Sequence, residues 1–349
     1  LANSDFSFRL EEPNMPRPQR MRSHGANAVD GTVVWSPVRS LWFSAMAATA
    51  LVGGALTFSW QAAFVSALLT IGTLCFGHSV GLHRLLIHRS FTCPLWLEYC
   101  MVYAGVLVGM GGPRRVIFMH EIRDWSQNQP QCHPFYIHKS GIFRDGLWNL
   151  HCECRLQSGP EFAPEERVTH SEFYRLLDRY WMAAQLPVAG LLFLAGGWPW
   201  VVWGICVRVT VSLVGHWMVG YFAHNRGELK WTIDGASVQG RNIPWLALLT
   251  MGESWHNNHH AFPDSARLGV EDGQLDPGWW LLATLKRLRM VEQITLPADL
   301  TNRGELTERG PSAEWRTSVY EGERTTSRAV ETQERRSDRS PARPLNHSL

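Results

Sequence analysis

The chain has 349 residues, 45% of them apolar and 18% charged, and its formal net charge is +2. A length like this allows one or two domains, the near-neutral charge selects no partner, and no basic stripe points to nucleic acid. The seven cysteines form no CxxC pair and no extracellular framework, so disulfides are not expected.

Taken in order, residues 1–38 are polar and carry Arg17, Arg20 and Arg22. Residues 41–59 and 61–80 then contain no Asp, Glu, Lys or Arg, and neither do residues 181–207. A run of about 20 apolar residues is what crosses about 30 Å of hydrocarbon, so the chain is expected to be an integral membrane protein. The first run is too long and too far along the chain for a cleaved signal peptide, and it reads as a permanent span. Positive residues stay on the cytoplasmic side, which puts the arm and Arg39 there. The two runs meet in a short uncharged turn near Trp60, so the chain returns to the cytoplasm in a tight hairpin. Of the 17 tryptophans, Trp42, Trp60, Trp181, Trp198 and Trp200 fall near span ends, where indole is favoured.

Residues 95–112 are apolar but carry Glu98 and a glycine-rich end. A single crossing there would put His83 and His88 on the opposite side from His120, so the stretch is expected to be an interfacial or partly embedded helix. Residues 113–170 are polar and read as a cytoplasmic layer over the membrane part. A second hairpin follows over about 181–198 and 200–222, broken at Gly196, Gly197 and Pro199. Arg208 lies inside its second arm and is expected to face the bundle. Residues 279–290, WWLLATLKRLRM, have an aromatic and a basic face and read as a surface helix. The polar, low-hydrophobicity stretch 301–349 is expected to be a disordered tail, which leaves 39–300 as the membrane domain.

Histidines carry the chemistry. Residues 253–260 read ESWHNNHH, with His256, His259 and His260 at i, i+3 and i+4, a spacing that shares one helix face. Three imidazoles can converge on one or two metal ions, but a transition metal takes four to six donors, so more are needed. GLHRLLIHRSF holds His83 and His88, His120 lies in MHEIRDW, and His224 in HWMVGYFAHNRG. Most of the 15 histidines sit in short groups just outside the apolar runs, which favours a metal centre over unrelated polar residues. Glu253 and Asp264 are placed to orient ligand imidazoles by accepting their outer N–H, and solvated loop positions are the alternative. Cys152 and Cys154 read as small core residues.

HRLLIH at 83–88, His120, AHNRG around His224 and NIPWLALLTMGESWHNNHHAFPDSARLG at 242–269 resemble the membrane fatty acid desaturase family, particularly its acyl-CoA branch. The resemblance covers roughly residues 40–290. It implies an all-α, four-span helical bundle under a cytoplasmic helical cap that holds a histidine-rich di-iron site. It also implies two iron ions (Fe2+/Fe3+), an acyl-chain substrate, O2 and two electrons. His83, His88, His120, His224, His256, His259 and His260 would be the metal ligands. No flavin, haem or iron-sulfur motif occurs, so a separate ferredoxin, rubredoxin or cytochrome b5-type donor is expected. Arg84, Arg89, Arg114 and Arg115 are candidates for meeting a head group, or else form a solvated basic face.

There are two departures from the family pattern. Its middle HxxHH box here reads His120, Glu121, Ile122, Arg123, Asp124, and Gly220 stands where the branch usually has an Asn that reaches a metal through water. Asp124, one helical turn from His120, is expected to replace one missing imidazole as a ligand, directly or through water. The alternatives are that His133, His138, His151 or His216 completes the shell, or that Asp124 only forms a salt bridge. A hydroxylase or ketolase acting on a lipid or carotenoid would share nearly all these ligands, and a non-enzymatic metal-binding membrane protein is the reading from another class.

Overall fold

Long stretches without a formal charge fold as helices, the form in which each backbone N–H and C=O finds its partner within the segment itself. The computed structural model describes residues 18–300 and 303–309, and the described residues up to Glu308 pack as one unit. Helix α1 spans Pro37–Leu56, with Pro37 at the first helical position, where its missing N–H costs nothing. Ser59 caps α2 (Trp60–Gly72) by accepting from the Ala62 N–H at 3.1 Å, which closes the expected short turn.

Helix α2 does not end there but continues through Thr73–Ile87 with a widened, π-type backbone, in which the His88 N–H donates to the His83 carbonyl five residues back at 3.0 Å. Gly77 and Gly81 face α3 (Leu95–Val106) across this segment. A Cβ on Gly77 would lie 2.3 Å from the Ala104 backbone, and one on Gly81 would lie 2.7 Å from Met101. This small-residue spacing lets two backbones approach as in membrane helix pairs. At 1.5 Å per residue α3 is about 18 Å long, too short to cross about 30 Å of hydrocarbon.

Helices α4 (Pro113–Gln127), α5 (Pro134–Ile137), α6 (Ile142–His151), α7 (Glu166–Thr169) and α8 (Glu172–Tyr180) make up the polar layer. Helix α9 (Gln185–Val201) is interrupted at Gly197, whose φ of 65° and ψ of −160° break it at the expected place. The chain then runs through a π-type segment, Val202–Val207, into α10 (Arg208–Asn225). Arg208 is buried and donates to the carbonyls of Gly204 and Leu107 and to Gln185 Oε1, all within 2.7 Å, so it ties the end of α3 to α9 and α10. Helices α11 (His256–Ala261) and α12 (Pro277–Arg287) complete the set, and α12 buries Leu282 and Leu285 while exposing Trp280.

Two helical runs, Trp60–Ile87 and Gln185–Asn225, the second with its break at Gly197, are long and apolar enough to cross a membrane. Leu51, Leu56, Trp60, Leu191, Leu194 and Trp198 stand exposed on α1, α2 and α9, an apolar surface of the kind that marks a membrane contact.

The structure differs from the expected all-helical chain in having short antiparallel ribbons. β1 (Met21–Arg22) pairs with β4 (Glu161–Phe162), β2 (Gly31–Trp35) with β3 (Cys152–Leu156), and β5 (Trp231–Ile233) with β6 (Leu306–Glu308). The first two tie the expected N-terminal arm to the polar layer. Arg20, in this arm, is 1% exposed, and it donates to Glu121, to Glu165 and to the Leu86 and Ile87 carbonyls. Strand β6 lies inside the stretch expected to be a tail, while residues 310–349 lie outside the described part.

Candidate metal centre

Seven of the eight expected ligand residues gather in two groups. His83, His88, His120 and His259 form one, and His224, His256 and His260 the other; in each group the candidate ligand atoms lie within 4.8 Å of one another. The widened helix brings the first pair together: His83 and His88, five apart in sequence, have ring centroids 4.8 Å apart. His120 enters from α4, 4.8 Å from His88, and His259 enters from α11, 4.6 Å from His83. His224 stands at the end of α10, where its Nδ1 donates to the Gly220 carbonyl at 2.6 Å. That fixes its Nε2 as the free nitrogen, 3.2 Å from His256 Nε2, which in turn lies 3.1 Å from His260 Nε2.

These spacings fit a metal ion. Imidazole nitrogens bind first-row ions at about 2.0–2.1 Å, so two of them on one ion lie about 3.0–3.4 Å apart. His256 Nε2 has two such neighbours, and one ring nitrogen carries at most one proton to share. Burial keeps the group neutral, the form that ligates. It pushes the His256 pKa well below the usual value, with His260 and His224 adding to the effect. It also lowers that of His260 to about 4, with help from the charges on Arg303 and His83.

Helix α11 serves both groups, because His256 and His260, one turn apart, point to one and His259 to the other. A six-residue helix does not hold itself together, and the two asparagines within HNNHH hold this one. Asn257 accepts from the backbone N–H of Lys230 and of Trp231 and donates to the Trp231 and Gly240 carbonyls, all between 2.8 and 2.9 Å. Asn258 donates to the Leu268 carbonyl and to Gln274 Oε1 and accepts from Asn242 Nδ2, each at 2.9 Å. The histidine pattern alone does not announce these anchors; the two polar amides set between histidines on a short helix are their signal in the sequence. At Gly240 a Cβ would come within 2.8 Å of both the His256 carbonyl and His260, so this position too is shaped by α11.

The expected orienting carboxylates stand beside first-group ligands. Glu253 Oε2 lies 2.7 Å from His83 Nδ1, while its Oε1 accepts from Ser79 at 2.6 Å. Burial alone would raise the Glu253 pKa, but the charge and hydrogen bond of His83, with Arg84 nearby, hold it down to about 2. Asp264 Oδ1 lies 3.8 Å from His88 Nδ1. Asp124 Oδ2 lies 3.4 Å from His120 Nδ1, outside the two histidine groups. It shares with His259, His260, Asp264 and Arg303 the wall of a cavity of about 520 Å3.

The remaining candidates are placed as follows. His133 accepts from the Phe135 N–H at the start of α5, His151 Nδ1 pairs with Ser40 Oγ at 2.8 Å, and His216 packs edge-on against His78. His138 is buried and stacks on His224. Arg84, considered for a head group, is 1% exposed and bound to Asp276 at 2.7 Å, so it braces the loop before α12. Arg89 lies 3.9 Å from Glu165 and Arg115 lies 4.0 Å from Glu153. Cys152 and Cys154 are part of β3.

The family profile for fatty acid desaturase matches residues 58–284, which include every residue of both histidine groups. An sn-1 stearoyl-lipid 9-desaturase of Synechocystis sp. is 34% identical over 247 residues, 69% of this chain and 74% of its own length. An sn-1 stearoyl-lipid 9-desaturase of Anabaena variabilis is also 34% identical, over 68% of this chain and 86% of its own length. An acyl-CoA 5-desaturase of Anemone leveillei is 31% identical over 71% of this chain and 76% of its own length.

Proposed function

Because the chain belongs to the fatty acid desaturase family, a family of oxidoreductases, we propose that it inserts a double bond into a fatty acyl chain presented as an acyl-CoA. The balanced reaction converts –CH2–CH2–, O2, two electrons and two protons to –CH=CH– and two waters. The observation that carries this reading is the pair of largely buried imidazole groups, four and three strong, that share α11. Iron held there would supply the oxidising power toward an unactivated methylene that no side chain has.

The chain's own residues do the rest. His83, His88, His120 and His259 would hold one ion and His224, His256 and His260 the other, with Asp124 as the carboxylate of the set. Glu253, with Oε2 2.7 Å from His83 Nδ1, would orient the ring of His83. Burial of the groups keeps bulk water from the reacting carbons. The spans are proposed to form a four-span bundle, with α1 and α2 as one hairpin and the two arms on either side of Gly197 as the other. The polar layer and both histidine groups would face the cytoplasm. The electrons come from a separate donor, a ferredoxin, rubredoxin or cytochrome b5-type protein. We propose the cavity walled by His259 and His260 as the side that donor approaches, since it touches one ligand from each group.

A lipid-linked acyl chain is the second reading, favoured by the names of the Synechocystis and Anabaena relatives. Lipid profiling of a host expressing the protein tests the reaction: new mono-unsaturated acyl chains are expected, whereas new hydroxylated lipids would point to a hydroxylase. Purified protein supplied with a donor and either acyl-CoA or acyl-lipid vesicles separates the two substrate forms. His259→Ala should lower both iron content and turnover, the latter by about tenfold or more, and a variant that keeps both would remove the metal reading at its centre.

A further inference from the structure

The second histidine group supplies three nitrogens, fewer than the four to six donors a transition metal takes. His138 is 1% exposed, and its ring lies parallel to that of His224, with centroids 5.2 Å apart and an interplanar angle of 8°. Its Nδ1 lies 3.1 Å from Asp145 Oδ1. Asp145 is itself fully buried, and the same oxygen accepts from Trp217 Nε1 at 2.8 Å and from Asn149 Nδ2 at 3.1 Å. A carboxylate only accepts, so it holds the His138 proton on Nδ1 and leaves the Nε2 lone pair open. That Nε2 is buried and has no hydrogen-bond partner among the described residues.

Room for this edge of the ring comes from Gly220, one turn before His224 on α10. A Cβ there would lie 3.7 Å from His138 Cε1 and 3.8 Å from Nε2, in ordinary van der Waals contact, so Gly220 directly faces this edge of the imidazole. The carboxylate–imidazole arrangement is the one that orients a histidine toward a metal site. His138 is not among the nitrogens that lie within 4.8 Å of one another in the second group, so it stands outside that cluster.

We propose that His138, oriented by Asp145, completes the surroundings of the metal held by His224, His256 and His260, its Nε2 accepting a hydrogen bond from a water on that metal. The inference rests on the two-iron reading above and extends it to a residue outside both groups. His138 acts through the water and is a positioning residue, and Asp145 positions it in turn.

The test uses the full-length protein loaded with Fe(II), with iron counted per chain and the two sites resolved by Mössbauer spectroscopy. His138→Phe keeps a stacking ring and removes the nitrogen. It should shift or weaken the signal of one site only and lower the affinity for that iron by about tenfold or more. Two irons with both signals unchanged in His138→Phe would overturn the proposal. If His138→Phe does not purify as a single species, Asp145→Asn, which is nearly the same size, takes its place. Losing the fixed Nδ1–H acceptor should shift the same signal, and an unchanged spectrum overturns the proposal equally. Wild-type protein that binds no pair of irons would instead overturn the parent reading, an outcome visible before any variant is made.

Discussion

Asn257 bonds to four backbone groups from residues 230, 231 and 240. A buried polar group left without its partner costs about 1–3 kcal/mol, so Asn257→Ala should lower stability by at least that much and release iron although no ligand is touched. Thermal unfolding followed by tryptophan fluorescence, together with iron content, checks this. Asp124 presents a different case, since its carboxylate lies 3.4 Å from His120 Nδ1 and lines the cavity beside His259 and His260. Asp124→Ala should lose part of the iron, Asp124→His should retain it, and His133→Ala should change nothing, because His133 is occupied in capping α5. Full iron in Asp124→Ala together with iron loss in His133→Ala would reverse these roles.

At the scale of elements, β6 and the residues before it belong with the folded chain, not with the tail. Arg303 donates to the His260 carbonyl at 3.1 Å, and Leu306–Glu308 pairs with β5, whose Trp231 is bonded to Asn257. Truncation before residue 301 should therefore lower iron content and thermal stability, whereas truncation after Arg309 should leave both unchanged; equal behaviour of the two truncations would contradict this. Elements marked by local chemistry were legible in the sequence: the turn closed by Ser59, the break at Gly197, the grouping of the histidines of HNNHH and the carboxylate of Glu253 beside His83. What escaped depended on distant contacts. The π-type segment that brings His83 beside His88 runs through Gly77 and Gly81, which pack closely on α3. The burial of Arg20 depends on Glu121 and Glu165, 101 and 145 residues away, and no local pattern announces a partner that remote.

For the whole molecule, the question is how the bundle sits in a bilayer. The proposed topology puts the turn at Trp60 on one side and both histidine groups on the other, following the placement of arginine and the uncharged turn. Reporter tags at Trp60 and after His88 should report opposite sides, and the same side for both would rule the topology out.

Bilayers differ in thickness, and spans answer by tilting, so ligands on α2 and α10 would be carried along with their helices. His259 and His260 are consecutive residues, with α-carbons about 3.8 Å apart across a single trans peptide, and they point into different groups. Helix α11 would therefore act as a ruler between the two proposed metal positions, anchored through Asn257 to residues 230, 231 and 240 and through Asn258 to Asn242, Leu268 and Gln274. On the proposed two-metal reading, leaning of the helices around it would leave the peptide step between His259 and His260 unchanged, so this link between the two groups would be set by the chain and not by the lipid.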